Sequence, residues 1–258
     1  MAALKAEGII LRKYLLRETS YILVLFTKEF GKVQGVVKGA RKPYPQFAGD
    51  FEIFTQCEML FYEKKKNPLD LITQCEAIDS FLPIRKDIEK LTYASYFVEL
   101  VNAVTGFYDR NDDLYNILAG SLRMMGGKVS AMRIARIFEL KLLGALGLTP
   151  HLKDCLKCGS PIESKAFFNI EKGGMVCSSC GNPSLKSLPM SLGTLNFMRK
   201  IQESELSKTS RVKVSKEVGQ ESELVLKGFM QYHVSKPMKS LRLLGDLERL
   251  RGRQRKTT

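Results

Sequence analysis

GIILRKYLLRETSYILVLFTKEFGKVQGVVKG, residues 8–39, decides the fold of the amino-terminal part. Three apolar runs of strand length, GIILRKYL, SYILVLFT and KVQGVVKG, are separated by short polar breaks. FTKEFGKVQ supplies a hairpin between the second and third, with Gly31 free to take a positive φ. Working outward, FEIFTQCEMLFYE (51–63) alternates. Phe51, Ile53, Cys57, Met59 and Phe61 share one face, and Glu52, Gln56 and Glu58 the other, so period two predicts the first set inside and the second in water. LDLITQCEAI (69–78) adds a fifth strand after the turn at Asn67-Pro68. Five short strands in roughly 80 residues predict a small closed barrel of the kind that binds single strands.

Beyond Pro83 the period changes to that of a helix. In LTYASYFVELVNAVTGFY the residues Tyr93, Phe97, Leu100, Val101 and Val104 recur at three- and four-residue steps. Asp112–Met125 and Ser130–Leu146 repeat the pattern, with Gly147 and Pro150 as the stop. Helical spacing returns in LGTLNFMRKI, ESELVLKGFMQYHV and a final KSLRLLGDLERL. The expected architecture is multi-domain α+β: a barrel at 1–80, a helical body at 81–150 and 186–258, and an insert at 151–185. No run of eighteen apolar residues is present and MAALKAEGII lacks a signal-peptide core, which predicts a cytoplasmic protein with reduced thiols.

The insert carries chemistry. Cys155 and Cys158 are two residues apart, as are Cys177 and Cys180, with eighteen residues between the pairs. That spacing lets four thiolates meet one tetrahedral ion, and a filled sphere without an open position predicts one structural zinc. AFFNIEKGGMV reads as the hairpin that returns the second pair to the first, with Gly173-Gly174 at its tip. The competing reading, a thiol switch, lacks the strand-then-helix setting of redox pairs. Four sulfurs leave His151 a loop residue, and Cys57 and Cys75 read as core thiols.

Charge points to a polyanion. The chain has 41 Lys+Arg against 27 Asp+Glu, a formal net charge of +14. Residues 187–258 carry +8 of it, ending in Arg249, Arg251, Arg253, Arg255 and Lys256, which read either as a solvated tail or as phosphate contacts. In the barrel, Lys28, Lys32, Lys38, Arg41 and Lys42 face only Glu29, with Arg12 and Lys13 expected to join them across a face. VVKGARKPYPQFAG interleaves that charge with Tyr44 and Phe47, the two ingredients of single-strand binding. Lys64, Lys65 and Lys66 read as an exposed hairpin tip. Arg133 and Arg136, one turn apart, share a helix face and suit phosphate, an acidic peptide, or an ion pair to Glu139. No Walker loop, dinucleotide fingerprint, serine-nucleophile motif or carboxylate cluster is present, so the chain reads as a non-enzymatic binding protein. Two other readings stay open: an RNA-binding module and a metal-dependent nuclease.

EGIILRKYLLRETSYILVLFTKEFGKVQGVVKGARK at the start, FELKLLGALGLTPHLKDCLKCG and MVCSSCG in the middle, and KPMKSLRLL near the end together resemble the bacterial recombination and repair mediators of the RecO family. The resemblance covers nearly the whole chain. It implies an amino-terminal OB-fold, a helical carboxy-terminal domain and a zinc module within it. It further implies binding of single- and double-stranded DNA, strand annealing, contact with the tail of the single-strand-binding protein SSB, and, with RecR, help in loading RecA. On this resemblance Lys38, Arg41 and Lys42 are the leading DNA contacts, joined by Arg12, Lys13 and Lys32, and Arg133 or Arg136 meets the SSB tail.

Overall fold

The computed structural model describes residues 3–41, 51–63, 69–184, 186–234, 239–240 and 243–245. Lys42, Tyr44, Phe47, Lys64, Lys65, Lys66 and the basic carboxy-terminal cluster lie outside them, as does most of the expected final helix. The chain forms two compact units, Met1–Gly127 with Met238–Thr258, and Lys128–Pro237. Compact packing thus groups the helices up to Gly127 with the barrel, whereas the change in sequence period falls at residue 80.

The first unit contains β1 (Ala3–Leu16), β2 (Ser20–Thr27), β3 (Gly31–Val37), β4 (Gln56–Tyr62) and β5 (Asp70–Asp79), closed into a barrel in the order β1-β2-β3-β5-β4. All pairs are antiparallel except β3 with β5. A bulge between Ile10 and Arg12 bends β1, whose first half pairs with β4 and second half with β2. The five expected strands are the five observed ones.

Ala6, Ile10, Leu23, Leu25, Val33, Cys57, Met59, Phe61, Ile72 and Cys75 fill the interior. Each large side chain so buried contributes ~1.5–3 kcal/mol before entropy is counted. The Cys57 thiol hydrogen-bonds Cys75 and is buried, and both effects push its pKa far above the ordinary thiol range, which makes it inert. Gly31 sits at φ 67°, and a Cβ there would lie 2.1 Å from the Asp109 carbonyl oxygen, so only glycine fits this hairpin.

The start of FEIFTQCEMLFYE departs from its alternation. The strand begins at Gln56, after an irregular turn in which Phe54 takes φ 58°. Ile53, expected inside, is exposed. Gln56, expected in water, is buried because its amide donates to Glu7 Oε1 and its carbonyl accepts from Arg123.

Three helices complete the unit: α1 (Leu82–Arg85), α2 (Ile88–Val104) and α3 (Asp112–Met125). Asp87 caps α2 by accepting from the amides of Glu89 and Lys90, and Asn111 caps α3 through Leu114 N. On the barrel's outer side Phe26 meets Tyr115 of α3 at 6.4 Å, and the Tyr115 hydroxyl donates to Glu7 at 2.9 Å.

The second unit holds α4 (Ala131–Ala145), α5 (Leu192–Glu203), α6 (Leu206–Thr209) and α7 (Lys216–His233). Beside them lies a small sheet of β6 (Ala166–Asn169), β7 (Gly174–Val176) and β8 (Ser187–Met190) in the order β7-β6-β8. The β6–β7 hairpin is the one predicted from AFFNIEKGGMV, with Gly173 at φ 67°. β8 was not foreseen; Pro189 argues against a strand, and it is tolerated because β8 is an edge. Phe168 of β6 packs edge-on against Phe229 of α7 at 5.5 Å, fixing the ribbon to the helices.

Candidate metal centre and nucleic-acid interface

The sulfurs of Cys155, Cys158, Cys177 and Cys180 all lie within 4.8 Å of one another. Two tight turns bring them there: Gly159 N donates to Cys155 O and Gly181 N to Cys177 O, each turn folding its pair inward. Cys158 Sγ and Cys177 Sγ are 3.8 Å apart. A tetrahedron of ~2.3 Å metal–sulfur bonds has an edge of about 3.8 Å, so the donors fit a thiolate-loving ion.

The electrostatics agree with that fit. Burial disfavours the Cys155 thiolate, but backbone amides of Cys177, Cys158 and Lys157 point at its sulfur and bring its pKa down to about 6. Cys180, which shares hydrogen bonds with Cys158 and Cys177, is pushed up to about 12. Such an array ionises fully only around a cation. His151 stays outside the cluster, bonded at 2.6 Å to Asp154.

At the barrel, one aromatic ring gathers two of the predicted basic residues. Tyr21, first in its strand to reach the core, has Lys13 Nζ 5.2 Å and the Arg41 guanidinium 6.0 Å from its ring centre. Phe51 stands 6.0 Å away on the same ring, so both ends of the segment between Arg41 and Phe51 meet at Tyr21. Arg41 N donates to Thr19 O at 3.0 Å, joining the VVKGARK segment to the β1–β2 turn. Lys38 and Arg41 are exposed. Lys13 also pairs with Glu52. Tyr21 escaped the sequence reading because it looks like one more apolar strand residue; pairing β1 with β2 across RETS sets it opposite Leu15 and beside Lys13.

Two predicted DNA residues are otherwise engaged. Arg12 and Lys13 do not share a face: as strand neighbours they point to opposite sides, and Arg12 turns to α2, where it meets Glu99 at 3.5 Å. Glu99 also accepts from Ser240 N at 2.9 Å and Lys239 N at 3.1 Å.

Lys32 is the clearer correction. It is 6% exposed, and its ammonium donates to the carbonyls of Asn102 at 2.9 Å and Thr105 at 2.5 Å. It therefore caps the carboxy-terminal end of α2, where a cation meets unpaired carbonyls, and is withdrawn from phosphate.

In the second unit, Arg133 and Arg136 line a cavity of about 310 Å³ with Met132, Phe197, Val214 and Lys216. Their positions differ. Arg136 is buried and committed to Glu139 at 3.0 Å and Glu223 at 3.6 Å. Arg133 spends one nitrogen on Val212 O, and its buried Nε has no hydrogen-bond partner among the described residues.

A closed five-strand barrel with this strand order, followed by helices bearing a four-cysteine ribbon, defines an OB-fold protein with an attached metal-binding module. Family models agree: the Recombination protein O N-terminal model matches residues 1–81 and the C-terminal model residues 85–242. The chain belongs to the RecO family. It is 30% identical over 244 residues to the DNA repair protein RecO of Pelotomaculum thermopropionicum, covering 95% of this chain and 94% of that one. It is 31% identical over 248 residues to that of Desulforamulus reducens, covering 96% of each. With that of Symbiobacterium thermophilum it shares 31% identity over 255 residues, 97% of this chain and the full relative. The family's role is in DNA repair and recombination, and these relatives' names carry no enzymatic activity. Among the described residues no helix is long and apolar enough to cross a membrane.

Proposed function

We propose that this protein is a cytoplasmic recombination mediator that binds single- and double-stranded DNA and anneals complementary strands without ATP. With RecR it would help RecA load onto SSB-coated single strands. The observation that carries the reading is the gathering of Lys13 and Arg41 on Tyr21, with Lys38 exposed on the segment leading to Arg41. Two strands repel through their phosphates; a basic surface that releases counterions from both lowers that barrier and lets base pairing proceed. Lys38, Arg41, Lys42 and Lys13 are the residues assigned to that contact, and residues 1–80 the domain that makes it.

The cysteines of the 151–185 module hold one zinc ion in this reading. Four thiolates close its coordination sphere, so it supplies folding energy and no chemistry. The helical part, 81–150 and 186–258, is assigned the protein contacts. The cavity beside α4 suits the acidic end of the SSB tail: Arg133 and Lys216 for carboxylates, with Met132, Phe197 and Val214 for an apolar side chain. Arg133 takes that role in preference to Arg136, whose charge is already paired.

The test is the joint replacement Lys38→Ala, Arg41→Ala, Lys42→Ala. DNA affinity is expected to fall for all sequences, and the slope of log K against log[salt] to shrink by ~0.7 per lost contact on single strands. Unchanged affinity and slope would remove the assigned site.

A further inference from the structure

The β1–β2 hairpin runs past the end of the barrel. Pairing of β1 with β4 stops at Ile9↔Gln56, whereas pairing with β2 continues through Tyr14↔Ile22 and Leu15↔Tyr21 to Leu16↔Ser20. Burial falls off along the same strand: Ile9, Ile10 and Leu11 are buried, but Tyr14 is 49% and Leu15 69% exposed. Two large apolar side chains thus stand in water one after the other, on opposite faces of the ribbon. Leu15 is the most exposed large hydrophobic residue among those described. Among the described residues neither side chain joins the core of the barrel, so this exposed pair is available to a ligand.

The surroundings say which ligand. Leu15 lies opposite Tyr21, whose ring carries Lys13 and Arg41. Arg17, exposed at φ 53°, forms the turn itself, and Thr19 at its far side accepts from Arg41 N. Against these three cations stand Glu18 on the turn and Glu52, which is paired with Lys13. A tip with positive charge on the Leu15 face and at the turn, and with Tyr14 exposed on the other face, complements a polymer that offers phosphates together with accessible base faces. Single strands offer both; a duplex hides its base faces in the stack.

We propose that the β1–β2 tip, Tyr14 and Leu15 with Lys13 and Arg17, takes unpaired bases of single-stranded DNA and so favours single strands over duplex. The proposal deepens the DNA-binding reading above and depends on it. Lys38 and Arg41 neutralise phosphate on either form of DNA, while Tyr14 and Leu15 add contact only where a base is free to lie on them. In this barrel type the loop between the first two strands is a place where oligonucleotides are held.

The chain contains no tryptophan, so Tyr14→Trp installs a unique fluorescent reporter at the tip. With the full-length protein, a homothymidine oligonucleotide is expected to quench that indole, and a duplex of equal length bound to the same saturation to leave it nearly unchanged. In parallel, Tyr14→Ala with Leu15→Ala is expected to lower single-strand affinity about tenfold, the scale of losing one stacked base, with duplex affinity within about twofold. Equal quenching by both DNAs, or none by bound oligonucleotide, overturns the tip assignment and leaves DNA binding standing. If the parent chain binds neither DNA, the broader reading falls and this one with it. The reporter variant removes no side-chain volume, so its result does not depend on the double alanine variant folding.

Discussion

Replacing Lys32 with methionine separates a structural lysine from a DNA-binding one. Methionine keeps most of the apolar stem and removes the ammonium that donates to Asn102 O at 2.9 Å and Thr105 O at 2.5 Å. It also removes the cation 4.9 Å from the Phe107 ring centre. A hydrogen bond from a charged donor contributes ~1.5–3 kcal/mol, and a cation at a helix carboxy terminus ~0.3–1 kcal/mol more. Water reaching the freed carbonyls offsets part of this, so the net loss is set at ~2–4 kcal/mol. At roughly 2–4 °C per kcal/mol for a domain of this size, the melting temperature falls by roughly 4–16 °C. Thermal and urea unfolding by far-ultraviolet circular dichroism read the stability, and fluorescence anisotropy with labelled oligonucleotide, well below the transition, reads binding. Stability is expected to drop while affinity and salt slope stay put. Unchanged stability with weakened binding would refute the capping role and restore Lys32 to the DNA surface.

Other expectations are as specific. Cys158→Ser should release the metal, taking bound zinc from one equivalent to near none by elemental analysis. It should also destabilise the ribbon by several kcal/mol, given ~10–16 kcal/mol for structural zinc in small fingers. Arg136→Met removes the guanidinium 3.0 Å from Glu139, which is 1% exposed, and should cost ~3–5 kcal/mol in urea unfolding. Arg133→Met should cost far less and instead weaken binding of an acidic carboxy-terminal peptide, read by calorimetry. For Glu99, burial opposes ionisation, but the Ser240 hydroxyl and the amides of Ser240 and Lys239, with Arg12, outweigh it and lower the pKa. A folded pKa below the unfolded value, ~4.3, stabilises the contact of Glu99 with Lys239 and Ser240 above that value, and the stabilisation is lost as pH falls through the folded one. Protease sensitivity at Lys239 should therefore rise as pH falls below ~4.3, and Glu99→Gln should remove the pH dependence.

The parts legible in the sequence are those written in local patterns. The barrel strands follow from alternation and turn residues, and the metal centre from two pairs of cysteines whose spacing is itself the geometry. What failed was long-range. Lys32 reads as surface charge, and only the arrival of the α2 carboxy terminus, some seventy residues later in sequence, buries it. Gln56 is drawn inward by Glu7 and Arg123, neither near it in sequence. Arg136 finds a second carboxylate, Glu223, on another helix. The separation of Arg12 from Lys13 was legible, since adjacent strand residues face opposite ways, and charge density obscured it. Tyr21 needed the strand register before its role as the meeting point of Lys13 and Arg41 was visible. β8 hid behind Pro189, which an edge position permits.

The central claim is that the basic barrel surface brings complementary strands together by neutralising phosphate. Its most direct test is duplex formation from complementary single strands, followed with purified full-length protein and no ATP across a salt series. The account predicts acceleration at low salt that fades steeply as salt rises and is largely lost when Lys38, Arg41 and Lys42 are alanine. No acceleration at low salt, or acceleration indifferent to salt and to those three residues, would contradict it.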